Sequence, residues 1–236
     1  MPTFDLRLSL FAILAASGCG LISSDVTDFD LAAFDKSFTI DADNRWQIDP
    51  SMADALLATS CAQNASACAS AAMAACQTGC TGTCSTTTSK CVLGLDVSLY
   101  QSIDVAMERP ELASINDEPV IKVSIDYSTY EVTANTLNVE TPAMKVYVAP
   151  MSVMNPNDPQ AKEIGELPAI PAGMTIVEPQ ELAFTPTGRA DLVATMNNYK
   201  IPFNLIVGTT LTVEEGEPMP TGKLDATVHI KVHAGL

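Results

Sequence analysis

The stretch Leu224-Asp225-Ala226-Thr227-Val228-His229-Ile230-Lys231-Val232 decides the fold class. Its side chains alternate apolar and polar without a slip. A strand sends successive side chains to opposite faces, so this one has a dry face and a wet face. The same period recurs up the chain. In 201–213 the apolar set is Ile201, Phe203, Leu205, Val207, Leu211 and Val213. In 121–127 it is Ile121, Val123, Ile125 and Tyr127, and in 93–107 it runs from Leu93, Leu95 and Val97 to Val105 and Met107. Residues 38–48 alternate through Phe38, Ile40, Trp46 and Ile48, and 131–140 and 144–154 are further strand candidates. The first of these two slips phase near Thr136 and Leu137, as a bulge would.

One-sided strands build antiparallel sheets, and continuous apolar runs of the parallel α/β kind are missing. About eight such strands with Pro and Gly between them predict a mainly β fold, an antiparallel β-sandwich. The last two strands should form a hairpin around Glu214–Gly222. Eight of the fifteen prolines lie between 142 and 186, so that stretch reads as an irregular rim, with 155–173 a long surface loop. One short helix is expected at 188–199, where Leu192, Val193, Met196 and Tyr199 share a face and Thr187 can cap.

A second signal interrupts the alternation. Cys61, Cys68, Cys76, Cys80, Cys84 and Cys91 fall within one short alanine-rich segment. An even, clustered set in an exported chain reads as three disulfides. No two of them are separated by two residues, as zinc ligands often are, and His229 and His233 lie far away. Pro50 and Ser51 start a helix expected over 51–76, which Gly79 and Gly82 end. If the chain folds back on that helix, a nested pairing fits its rise: Cys76–Cys80, Cys68–Cys84 and Cys61–Cys91. Fifteen connectivities are open to six cysteines. Residues 51–91 thus read as a Cys-rich helical hairpin inserted in one sandwich made of 19–50 and 92–236.

The chain of 236 residues carries 28 acids against 12 bases, a formal net charge of −16, with 47% apolar residues. That is too apolar for disorder and too acidic to grip a nucleic-acid backbone. Apolar runs stop short of the ~18 residues that a spanning helix needs. Residues 1–18 read as a signal peptide: Arg7, a short apolar core from Leu8 to Ala16, then small residues. The segment Ala16-Ser17-Gly18-Cys19 resembles the lipobox of bacterial lipoproteins, with Ala16 where Leu is usual. That resemblance covers about the first 20 residues. It implies cleavage before Cys19, a diacylglyceryl thioether on its sulfur and acylation of its new amine, an anchor of the stable multi-chain kind. In that family an Asp after the Cys favours the inner membrane. Gly20 stands there instead, which implies the outer membrane.

Signatures of catalysis are missing: no Gly-x-Ser-x-Gly, Walker loop, dinucleotide fingerprint or His-Glu-x-x-His occurs. Neither a cofactor nor a metal is expected. His229 and His233 read as two residues on the polar face of a strand. Asp41-Ala42-Asp43-Asn44 lacks the Gly and the closing Glu of a calcium loop and reads as a solvated turn. Glu214, Glu215 and Glu217 read as turn acids. The expectation is a non-enzymatic, lipid-anchored cell-envelope module whose partner is another envelope protein or the wall. Its rival is a carrier of a lipid or other apolar ligand, with Met144, Met151, Met154, Met174 and Met196 lining a soft pocket. A hydrolase with an unrecognised site is the third reading.

Overall fold

The computed structural model describes residues 28–30, 33–76, 78–108 and 122–235. The signal segment, Cys19 and Ile121 lie outside them.

The protein is a β-sandwich of two antiparallel sheets. The five-stranded sheet holds β1 (Asp28–Asp30), β2 (Phe34–Asp41), β5 (Lys122–Asn135), β8 (Ile176–Glu181) and β11 (Lys223–Gly235). Strands β1 and β2 follow one another along one edge of β11, β5 takes its other edge, and β8 closes the sheet. The six-stranded sheet runs in the order β3 (Cys80–Cys84), β4 (Cys91–Ile103), β10 (Phe203–Val213), β6 (Met144–Pro150), β7 (Lys162–Leu167), β9 (Ala183–Phe184). The dry faces predicted by the alternation meet between the sheets. Phe38, Ile40, Leu224 and Val228 from one face Leu99, Met144, Leu167 and Val207 from the other, and the void they leave is about 10 Å³.

Several expectations give way to tertiary structure. The last two strands are not a hairpin. β10 is central in one sheet and β11 in the other, so Glu214–Gly222 carries the chain across the sandwich. The expected strand 38–48 ends at Asp41, and the short helix α1 (Ala42–Arg45) turns the chain away, leaving Trp46 buried beside β4. Residues 122–127 and 131–135 are parts of the single strand β5, which ends at Asn135, short of the expected 140. Its ladder with β11 shifts register at Asp126 and Thr133, before the predicted slip at Thr136. The alternation through Met107 also stops early. Asp104 accepts from the Met107 N–H and starts helix α4 (Val105–Glu108), which leaves Met107 exposed. The loop expected over 155–173 contains β7.

The helix expected over 51–76 is two helices, α2 (Pro50–Ala58) and α3 (Ser66–Ala75). Asp49 caps α2 by accepting from the N–H groups of Ser51 and Met52. The Thr59 hydroxyl donates back to the Ala55 carbonyl, and Ser66 donates to the Asn64 side chain. Short hydroxyl and amide side chains compete with the helical ladder in this way, which breaks the run. The predicted C-terminal helix is present as α5 (Gly188–Met196), with Leu192 and Met196 buried, but the Thr187 side chain makes no cap.

The break also changes the disulfide pairing. The bridges are Cys61–Cys84, Cys68–Cys91 and Cys76–Cys80. The nested order Cys61–Cys91 and Cys68–Cys84 required a straight helix that returned Cys61 to the Cys68 face. Instead, Cys84 and Cys91 are cross-strand partners in the β3–β4 ladder. The α2–α3 link runs beside that pair, with the Cys91 N–H donating to the Thr59 carbonyl and the Cys61 N–H to the Ser89 carbonyl, while α3 lies against Gly82 of β3. The segment is also less separate than a plain insertion, because β3 extends the six-stranded sheet.

Candidate functional site

The outer face of the six-stranded sheet holds a polar groove of about 520 Å³. Its floor is built by three neighbouring strands. Asp96 on β4 stands opposite Thr210 on β10, and the next row is Ser98, Gly208 and Lys145 across β4, β10 and β6. Tyr147 lies further along β6. These are the outward positions of alternating strands, so the same period that buries Leu95, Val97 and Val207 presents this row to solvent.

Two walls rise from the floor. One is the loop Asn155–Pro156–Asn157. Buried Asn204 holds the start of this loop by donating to the carbonyls of Met151 and Val153, while its own oxygen accepts from Ser102. Ser98 donates to the Met154 carbonyl. Val153 packs on Ala149 and Ile206, and Pro156 lies over Gly208, where a Cβ would come within 2.7 Å of the proline ring. The other wall is Arg45 with Gly79. Strand β3 reaches only as far as Leu95 along β4. Beyond that point Asp96 N–H donates to the Gly79 carbonyl, and the Asp96 carbonyl accepts from Trp46 Nε1 at 3.0 Å and Arg45 Nε at 3.3 Å. Arg45 Nη2 donates to the Ser98 carbonyl at 2.6 Å. The guanidinium thus continues the sheet edge where the strand has stopped.

The electrostatics follow from this placement. Burial pushes the half-buried Arg45 guanidinium below its usual value, and the Asp96 charge opposes the shift. Asp96 accepts from the Thr210 hydroxyl at 2.8 Å. Lys145 is held above its ordinary value by its 2.8 Å bond to Glu163, and burial raises the Tyr147 phenol. The groove therefore presents a guanidinium, a carboxylate, an ammonium, a phenol, hydroxyls and side-chain amides with little net charge.

The residues singled out in the sequence fall elsewhere. Cys19 lies outside the described residues. The six clustered cysteines form the three bridges, and the sulfurs of Cys61, Cys68 and Cys91 lie within 4.8 Å of one another because two bridges stack side by side. His229 does not simply face water. Its Nδ1 is 2.7 Å from Asp35 on β2, and its Nε2 is 3.6 Å from Glu131 on β5. It ties β11 to β2 across the outer face of the five-stranded sheet and lies beside Glu131 of β5 without a hydrogen bond to it. Asp41 is lowered by its bonds to Lys223 and Asn44, while Asp43 accepts from the Gly222 N–H. That stretch is the end of β2 and the start of helix α1, not the expected turn, and it ties β2 to β11. Glu215 pairs with Lys90, and Glu217 accepts from the Glu214 N–H. Met144 and Met196 are buried core, whereas Met151, Met154 and Met174 are exposed at separate places.

The groove residues were not singled out in the sequence. Arg45 is one of few cations in an acidic chain, and Gly208 interrupts the apolar set of β10. Neither signal reveals that three strands bring the two together. No protein-family profile, curated protein or solved structure matches the chain. Among the described residues no helix is long and apolar enough to cross a membrane.

Proposed function

We propose that this protein is a non-enzymatic binding module of the cell envelope, held at a membrane by acyl chains on Cys19. In this reading it meets another envelope protein or the wall through its outer sheet surface. The observation that carries it is the contrast between interior and exterior. The void left where Phe38, Met144, Leu167 and Val207 meet between the sheets is about 10 Å³, room for about one water, whereas the outer groove is about 520 Å³. A carrier of an acyl chain needs an enclosed apolar chamber, and ligand sites commonly measure ~300–1,000 Å³. The outer groove meets the second scale. The three disulfides suit an oxidising compartment, and the lipobox-like segment supplies an address and a tether.

Replacing the anchor sulfur tests the reading. Cys19→Ser removes the thioether site, so the expressed protein is expected in the soluble fraction after cell breakage, with the parent chain in the membrane pellet. A Cys19→Ser chain that still pellets with the membrane overturns the tether.

A further inference from the structure

We infer that the groove above β4, β10 and β6 is a binding site for an uncharged, polyhydroxylated ligand, a glycan chain. This deepens the envelope-module reading and rests on it for the ligand's location. At the centre of the floor Gly208 has no side chain between Ser98 and Lys145, and Pro156 takes the space above it, so a ligand is held around that point by the lining groups. The groups around it are bifunctional in the sense a sugar requires. Asp96 spends one carboxylate oxygen on Thr210, and the other lines the groove as an acceptor. Arg45 spends Nε and Nη2 on strand carbonyls, which fixes its plane and leaves its remaining nitrogen as a donor. Lys145, anchored by Glu163, stands across the floor.

A hydroxyl donates and accepts at once, so adjacent hydroxyls satisfy a carboxylate and a guanidinium side by side. An apolar ligand would strip water from these charges without replacing their bonds, at a cost no apolar contact in so polar a groove repays. An ion would meet opposite charges on Arg45 and Asp96 and gain little from either. The half-buried Tyr147 ring supplies the one aromatic face against which the C–H side of a sugar ring can rest.

The test uses the full chain in lauryldimethylamine oxide micelles, a sugar-free detergent. Chitotetraose, cellotetraose and maltotetraose are each titrated in saturation-transfer NMR. Saturation is expected to reach the ring protons of at least one of them. Asp96→Asn keeps the shape of the floor but halves its acceptor strength. Asn157→Trp fills the groove from an exposed loop position. Each is expected to weaken binding at least about tenfold, with Tm within about 2 °C of the parent. If Asp96→Asn lowers Tm further, Asn157→Trp alone decides. Absence of transfer to all three sugars, or binding that survives Asn157→Trp, overturns the site. Either result with Cys19→Ser still releasing the chain removes the glycan and leaves the tether standing. Retained sugar binding in a chain whose anchor test fails does the reverse.

Discussion

At the scale of single residues, close approach and capping carry most of the information. Gly82 in β3 lies against α3 so tightly that a Cβ would sit 2.0 Å from the Cys68 carbonyl oxygen and 2.5 Å from its carbon. Gly82→Ala must therefore lift the helix that Cys68 bridges to β4. A loss of roughly 1–3 kcal/mol is expected, read as a lower urea midpoint at unchanged slope. Asp49 acts by hydrogen bonding. Its carboxylate accepts from the Ser51 hydroxyl and from the Met52 and Ser51 N–H groups, which together hold it below the ordinary 3.8. A carboxyl lowered in the folded state stabilises above its unfolded value, and that contribution is lost as pH falls through the folded value. Asp49→Ala should lower Tm at neutral pH. The gap to the parent should shrink as the pH drops below 3.8, as followed by thermal melts across an acid series. The cap was legible as a start signal at Pro50 and Ser51. The Gly82 contact was not, because nothing local to a Cys-Thr-Gly-Thr-Cys stretch says which helix will cover it.

At the scale of elements, periodicity proved a good guide to what forms and a poor one to where it ends or what it joins. The strands near Leu93, Val123, Leu205 and Val228 were visible because one wet and one dry face leave a two-residue period in any context. Where elements end was set by side chains reaching out of pattern: Asp104 caps α4 where β4 stops, and Thr59 closes helix α2. β8, with five of its six residues exposed, has no dry face to mark it. The cysteine pairing failed for the same reason: it assumed one rigid helix, and the break between α2 and α3 re-sorted the partners. Cys61–Cys84 and Cys68–Cys91 each span 23 residues, whereas Cys76–Cys80 spans 4. Chain entropy then assigns about 3.5 kcal/mol to each long bridge and about 2 kcal/mol to the short one. Cys68→Ala with Cys91→Ala should accordingly destabilise more than Cys76→Ala with Cys80→Ala in matched urea titrations. Non-reducing peptide maps should show a 61–84 peptide and not a 61–91 one.

At the scale of the whole molecule, the sandwich class was legible because it is the sum of many one-sided strands. The groove was not, because it belongs to the pairing of β4, β10 and β6, whose residues are far apart in the chain. Topology also sets how the molecule bears load. β2 is registered with β11 over eight residue pairs, from Phe34–Ile230 to Asp41–Lys223, and β1 continues along the same edge. The Cys19 side of the chain enters at one end of this ladder, and Arg45, at the groove, follows the other. With an anchor at Cys19 and a ligand in the groove, a pull runs along β2. The ladder's hydrogen bonds stand perpendicular to that line. They are therefore sheared together and not peeled one at a time, so a tug on the anchored end must slide a whole strand before anything gives.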